Sequence, residues 1–427
     1  MKGWLMAVAI VTLGIAGPLV AAAPTGEAPE VPVITEPSFL VCTGAEAGGG
    51  FTSHVAVASA EAGGVTATAI GTGSSETVAI NSAGGADIDV DRLAELGVTP
   101  LLMELPTDQA GAATVTRSGT ADATSSCAGA PGESQVLAGA SSQSGEDLTL
   151  IVANPFAPEA RVQVAASGEL GEEVVAELEE VVVPPSTAIS LPVGRILPAR
   201  ESLSIRIDPL AGRVAAALRQ VAATDAAVWE GRTGSQEWFI PLPVIDGAGA
   251  SIALAAAAPI GFEYTVEPAG QAGQGEMLTE GSVAAGGQAI IPASALGAST
   301  KGVVISATEP VVADLMLSGP DARAVTPGAS RSALRWLVPG AGPDEATSVR
   351  LWVLTVDDQL ANITVTPLAP GYAPRAYQPD PRGLTMLQVA EGPSQGVIVD
   401  GDAEIVVVWT SQRGASVALA TATPLEE

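Results

Sequence analysis

Apolar and polar positions alternate along most of this chain in short runs separated by small breaks. Between residues 147 and 219 the runs "LTLIVA", "ARVQVAA", "EEVVAELEEVVV", "TAISLP", "SLSIRI" and "GRVAAAL" follow one another, divided by Gly, Pro, Ser and Glu. Period-2 alternation of Val, Ile and Thr with closely spaced turn residues predicts antiparallel strands folded as a sandwich. One stretch competes as a helix, because "GEEVVAELEEVVV" (171–183) carries strong helix formers in its first half. Runs such as "EIVVVWT" (404–410) lack alternation and predict strands buried on both faces, central in their sheets. Short "LAELG" (93–97) and "RILPA" (195–199) predict single helical turns at sheet corners.

The pattern repeats. "ISATEPVVADLML" (305–317) has counterparts in "IRIDPLAGRVAAALR" (205–219), "IVDGDAEIVVVWT" (398–410) and, more weakly, "LLMELPTDQAGAATVT" (101–116). Each reads as an apolar run, a polar or Pro/Gly turn and a second apolar run, the form of a hairpin. A second marker is sharper: "EWFIPL" (237–242) and "RWLVPG" (335–340) share a Trp, two apolar residues and a Pro. Each is followed by a polar stretch and an alternating strand, "SIALAAA" (251–257) and "SVRLWVL" (348–354). "ESQVLAG" (133–139) before "DLTLIVANP" (147–155), and "PSFLVCTG" (37–44) before "SHVAVAS" (53–59), complete the series. Repeats of this kind are stacked or packed supersecondary units. The expected fold is all-β: four tandem immunoglobulin-like β-sandwich units at 37–132, 133–234, 235–333 and 334–427. No long linker separates them, so they are expected to pack end to end. Propeller blades around an axis are the competing closed arrangement, but blades run nearer 40–50 residues.

The first residues change the compartment. "MKGWLMAVAIVTLGIAGPLVAAAPTG" has a basic start, an apolar stretch and a small-residue cleavage site at Ala21–Ala23, the form of a secretory signal peptide. Trp4–Ala23 is also about the 20 residues that a membrane anchor needs. Residues 1–23 are therefore read as a signal peptide or N-terminal anchor helix, and 24–36 as a Pro-rich spacer. Both readings place the body outside the cytoplasm, secreted or anchored to the membrane by that segment alone.

Charge narrows the partners. A formal charge of −29, with Lys301 the only lysine after Lys2, excludes a phosphate-backbone grip and so nucleic acid. It also argues against an electrostatic hold on anionic lipid. Cys42 and Cys127 are the two cysteines. In an oxidising compartment they are expected to pair, tying the two ends of the first unit, which is the richest in Gly and the poorest in large apolar residues.

The phrases "LIVANPFAPEARVQV" (150–164), "VVVPPSTAISLPV" (181–193) and "ISATEPVVADL" (305–315), with a leading hydrophobic segment and an early Cys, carry a family resemblance. The chain resembles an uncharacterised domain-of-unknown-function family of exported actinobacterial proteins with tandem β-sandwich repeats. The resemblance covers nearly all of the chain after its leader. It implies a fold and an exported location; it brings no activity and no catalytic residue.

Candidate chemistry is sparse. His54 is the one histidine, and alternation from Val55 and Val57 puts it on the solvent side of its strand. "GPSQG" (392–396) matches a nucleophile elbow, but a strand follows where a helix is required and the histidine lies far upstream. Lys301 has Ala298 where a Ser-Lys pair needs serine. Asp87, Asp89 and Asp91 share one face of an extended segment; a calcium site competes there with a solvated acidic strand edge. "DGD" (400–402) reads as a turn, and the sequon "NIT" (362–364) carries little weight. Trp238 and Trp336 read as repeated packing residues, Trp352 and Trp409 as core. Trp229, in "DAAVWEGRTG", reads as a loop residue for which a packing role is favoured, and as the one aromatic that could otherwise contact a partner.

No catalytic, cofactor or metal residue is assigned on this reading. The expectation is a non-enzymatic scaffold or protein-interaction protein of the cell envelope, with envelope proteins as partners. A module that binds wall glycan is the alternative, and an acidic glycan-processing enzyme a third possibility.

Overall fold

Val, Ile and Thr suit a pleated, half-buried surface, and the runs rich in them do form strands. The computed structural model describes residues 38–425, except 49, 81–82, 95–96, 120, 130, 132, 169–170, 223–224, 271–276, 320–322, 341–346, 357–360, 370, 381–382 and 390–395. Over these residues the fold is all-β in several antiparallel sheets. Helix is confined there to single turns at Val90–Leu93, Val193–Ile196 and Ala293–Leu296 and a 3-10 turn at Ala176–Leu178. The leader, the spacer and most of "GPSQG" lie outside the described residues.

The segment 171–183 is not a helix. Val181 and Val183 pair with Val162 and Ala160, and this tertiary pairing overrides the local propensity of the Glu-rich half. Single helical turns do occur near 93 and 195, each shifted a few residues towards the N-terminus.

Each sheet draws its strands from one stretch of chain, 38–129, 135–230, 235–327 or 333–424. The stretch 135–230 shows the order. One sheet runs Gln135–Ala140, Leu203–Ala211, Ala160–Gly168, Gly171–Glu173; the other runs Thr187–Leu191, Asp147–Asn154, Ala215–Val221, Ala226–Glu230. The strand that ends each stretch sits at the edge of its sheet in every case.

"ISATEPVVADLML" is not a hairpin. It lies within one unbroken strand, Gly302–Ser318. Its first part pairs with Ser235–Pro241, Ile305 facing Trp238; its second part pairs with Gly249–Ala256, Leu315 facing Ile252. A hairpin would have paired the two parts with each other. Ser306, Thr308 and Pro310 are exposed where the strand leaves one set of partners for the next, as strands do at the corners of sandwiches. "IVDGDAEIVVVWT" is likewise inside one strand, Gly396–Arg413. In the other two copies the arms, Leu203–Ala211 with Ala215–Val221 and Leu101–Leu105 with Ala110–Ser118, lie in different sheets. A polar break between apolar runs has the same signature at a turn and at a corner, and the long-range register decides between them.

The stretches are not laid end to end either. The first meets both the second and the fourth. Glu230 accepts from the Thr43 and Gly44 N–H groups at 2.9 and 3.0 Å, while Ala58 packs with Leu337, Leu368, Ile398 and Leu425. The second meets the third through the Ala138 N–H on Asp314 at 2.8 Å. The third and fourth share one hydrophobic cluster that includes Ile305, Leu315, Leu351 and Val407. Contacts thus run from first to second, to third, to fourth and back to first, closing a ring within the compact unit Pro37–Glu427.

Candidate functional site

Four edge strands meet at the centre of this ring: Ala121–Ser126, Ala226–Glu230, Arg323–Pro327 and Ser416–Thr421, each packed on the next in cyclic order. Exposed edges invite foreign strands; here the four edges cover one another. Small side chains allow the approach, as in the cluster of Ala121, Ala123, Ala226 and Val228.

Where these strands begin, the hub is tied by Asp225 and Ser416. Asp225 Oδ1 accepts from the Ser416 hydroxyl and Oδ2 from the Arg323 N–H, both at 2.6 Å. Ser416 Oγ in turn accepts from the Asp122 N–H at 2.8 Å. One carboxylate and one hydroxyl therefore join all four strands. Burial pushes the Asp225 carboxyl above its ordinary value, against the hydrogen bonds from Ser416 and Arg323. Asp122, with no exposed surface, lies 3.6 Å from both Arg117 and Arg413.

Where the strands end, Thr421 takes the central place. Its hydroxyl bonds the Pro327 carbonyl and lies 3.0 Å from the Thr326 hydroxyl, and its own carbonyl accepts from Ser126 Oγ–H. Beyond it the ring opens into a cavity of about 290 Å³ lined by residues of the first, third and fourth stretches and of the links that follow the second and the third. Ser126, Arg232, Thr233, Ser330, Arg331, Thr421 and Thr423 supply its polar lining. Trp238 and Trp336 supply two indoles. The N–H of Trp238 bonds the Ser235 and Val311 carbonyls at 3.2 and 2.8 Å, and that of Trp336 bonds the Ala333 and Ile405 carbonyls at the same distances. Both are buried, and both are equivalent packing residues, as their shared motif implies.

A buried charged group stands behind this cavity. Arg232 is half-buried and donates from Nη2 to the Ser126 carbonyl at 3.2 Å. Its charge interacts with those of Glu230 and Asp314, and burial holds its pKa below the ordinary arginine value. Glu230 and Asp314 have no exposed surface. Each uses one oxygen to bridge to the neighbouring stretch and keeps the other, Oε2 and Oδ1, without a hydrogen bond. Desolvation pushes each carboxyl up to about 7.

Cys42 and Cys127 are joined by a disulfide, and Cys127 lines the cavity. Trp229 is not in a loop. It belongs to the strand Ala226–Glu230, has no exposed surface and packs in the core with Leu137, Leu218 and Val325; its ring is turned inward, away from any partner. Trp352 and Trp409 are core residues. His54 is half-buried rather than solvent-facing, because the fourth stretch covers the second face of its strand, where Ala56 and Ala58 are fully buried. Burial lowers its pKa, with the Asp87 charge opposing. Asp89 caps the turn Val90–Leu93 by accepting from the Asp91 N–H at 3.0 Å and pairs with Arg92 at 3.3 Å, while Asp87 and Asp91 face solvent. Among the described residues no group of three or more His, Cys, Asp or Glu is placed to hold a metal. No described helix is long and apolar enough to cross a membrane. Asn362 of the sequon is held by Asp402 of "DGD".

Sequence reasoning missed Asp225, Glu230, Arg232 and Asp314. The signal was present: Asp314 is the lone charge in "VVADLML", and Glu230 and Arg232 follow the apolar "AAVW". A single charge inside a buried strand is an expense that demands a partner.

Comparison with known proteins places the chain. It belongs to the family of unknown function DUF5719, which matches residues 103–370. That segment contains three of the four central strands and the Glu230, Arg232 and Asp314 group. No curated protein matches. Among solved structures the chain is similar to one described as "Crystal structure of tetra-tandem repeat in extending region of large adhesion protein". The identity is 11% over 88% of this chain and 96% of that one, with a TM-score of 0.09, and at that score the likeness carries no argument.

Proposed function

We propose that this member of the family is a non-enzymatic scaffold or protein-interaction protein of the cell envelope. In this reading it is exported and is either secreted or held to the membrane by residues 1–23. Its body is four tandem immunoglobulin-like sandwiches, at 37–132, 133–234, 235–333 and 334–427. The observation that carries the reading is the shared hub. Four edge strands joined through Asp225, Ser416 and Thr421 belong to one compact body with its sheets and corner loops arranged around the hub. Such a body offers several surfaces at fixed separations, which suits assembly of partner proteins.

Two further features support it. A disulfide between Cys42 and Cys127 fits an oxidising compartment. Trp229, Trp238, Trp336, Trp352 and Trp409 are all buried, so none of them offers the open aromatic face that a wall-glycan platform would use.

The test is crosslinking in living cells followed by purification through a C-terminal tag. Repeated recovery of one or two envelope proteins is the expected result. Recovery of wall polysaccharide without a protein partner would replace the scaffold by a glycan-binding module.

A further inference from the structure

The cavity at the end of the hub runs against the charge of the whole chain. Acidic residues outnumber basic ones 47 to 18, yet among the described residues the lining includes Arg232 and Arg331 and no Asp or Glu. The acids nearest in sequence and charge, Glu230 and Asp314, are buried behind Arg232. Arg331 stands at the exposed rim and Arg232 lies deeper, so cationic groups occur at two depths of one opening.

The donor chemistry is specific. A guanidinium has five N–H donors in a planar fork. The Arg232 guanidinium makes one hydrogen bond, to the Ser126 carbonyl, and its other N–H groups meet no acceptor among the described residues. The hydroxyls of Thr233, Ser330 and Thr423 line the same space. The indoles of Trp238 and Trp336 are buried and their N–H groups already bonded to carbonyls, so they back the cavity wall and donate nothing to a ligand. At about 290 Å³ it lies at the lower limit of small-molecule sites, about 300–1,000 Å³.

We propose that this axial cavity is a binding site for a small organic oxyanion, a carboxylate or phosphate on a compact body. The oxyanion sits in the fork of Arg232 and is met at the rim by Arg331, the geometry in which arginine recognises either anion. The compact body fills the remaining space of the opening. Because the lining comes from the first, third and fourth stretches and from the link that follows the second, the ligand would hold the ring closed at this end. The site stands independently of the scaffold reading.

The test uses the purified full chain and three probes: N-acetyl-phenylalanine, its uncharged amide and phenyl phosphate. Calorimetric titration and tryptophan fluorescence read binding. Saturable binding of at least one anion is expected, with the amide bound at least tenfold more weakly, and the stronger anion identifies the natural head group. Arg331→Gln, at an exposed position, should weaken binding at least tenfold at an unchanged melting temperature. Failure of both anions to saturate, equal binding of acid and amide, or undiminished binding by Arg331→Gln would each overturn the proposal.

Discussion

Glu230 provides the sharpest test of the hub. Its carboxyl and that of Asp314 are pushed up to about 7 by burial. The folded protein therefore keeps protons that the unfolded chain has already released near pH 4. Their stabilising effect is complete below about pH 4 and is lost as the pH rises through about 7. For Glu230, a move from an ordinary 4.5 to about 7 corresponds to about 3 kcal/mol. For Asp314, a move from 3.8 to about 7 corresponds to about 4 kcal/mol. Falling stability from pH 5 to pH 8.5 also follows from the general repulsion of so acidic a chain, so the wild type alone decides nothing.

Glu230→Gln separates the two causes. The amide oxygen can still accept from the Thr43 and Gly44 N–H groups, and the side chain no longer ionises. Urea midpoints across that range should show the variant falling less steeply than the wild type. At pH 8.5 it should be the more stable protein by about 2–3 kcal/mol. Glu230→Ala should instead lose about 2–4 kcal/mol at every pH, because two buried N–H groups are left unmet. If Glu230→Gln follows the wild-type slope, Glu230 does not carry a buried, titrating bridge between the first and second stretches.

Other outcomes follow from particular contacts. Replacing Cys42 and Cys127 by Ser together removes a bridge between residues 85 apart and should lower the unfolding free energy by about 3–5 kcal/mol in urea titrations without reductant. Gly139 has φ 78°, and a Cβ there would meet Met316 Sδ at 2.4 Å. Gly139→Ala should therefore cost about 1–3 kcal/mol, and Met316→Ala in the same chain should recover only the steric part, as read from midpoints of the double-mutant cycle. Trp336→Ala should cost about 3–5 kcal/mol. Trp336→Phe should cost more than Trp229→Phe, because the Trp336 indole N–H is bonded to two carbonyls whereas that of Trp229 meets no acceptor. Thermal melts of the two Phe variants compare them directly.

The all-β class, the disulfide and the equivalence of Trp238 and Trp336 were legible because each is a local or compositional signal. Alternation reports a strand, and two cysteines report a bond in an oxidising compartment. The strand corners were not legible, because "SATEP" breaks an apolar run in the same way whether the chain reverses or bends on. Trp229 packs, as favoured, but its placement in a loop was a misreading, because the residues after it, "EGRTG", look like a loop; the strand ends there, one residue beyond a fully buried indole. His54 was misplaced because alternation describes one sheet in isolation, and a neighbour packed on its second face cancels the polar side.

The same reasoning explains why the ring was hidden while its ingredients were in view. A helix or sheet that packs through large apolar residues advertises its interface. The hub strands "ADATSS", "AAVWE", "RAVTP" and "SVALAT" do the opposite, because four edges can approach one axis only if most side chains there are small. Small side chains bury little apolar area, about 25 cal/mol per Å² at best, so the approach must be held by polar groups at its two ends. That is where Asp225, Ser416, Thr421 and the Glu230–Arg232–Asp314 group lie. In this chain the abundance of Ala, Ser and Thr is a condition of closure at the axis, and the few buried charges mark the places where closure is tied.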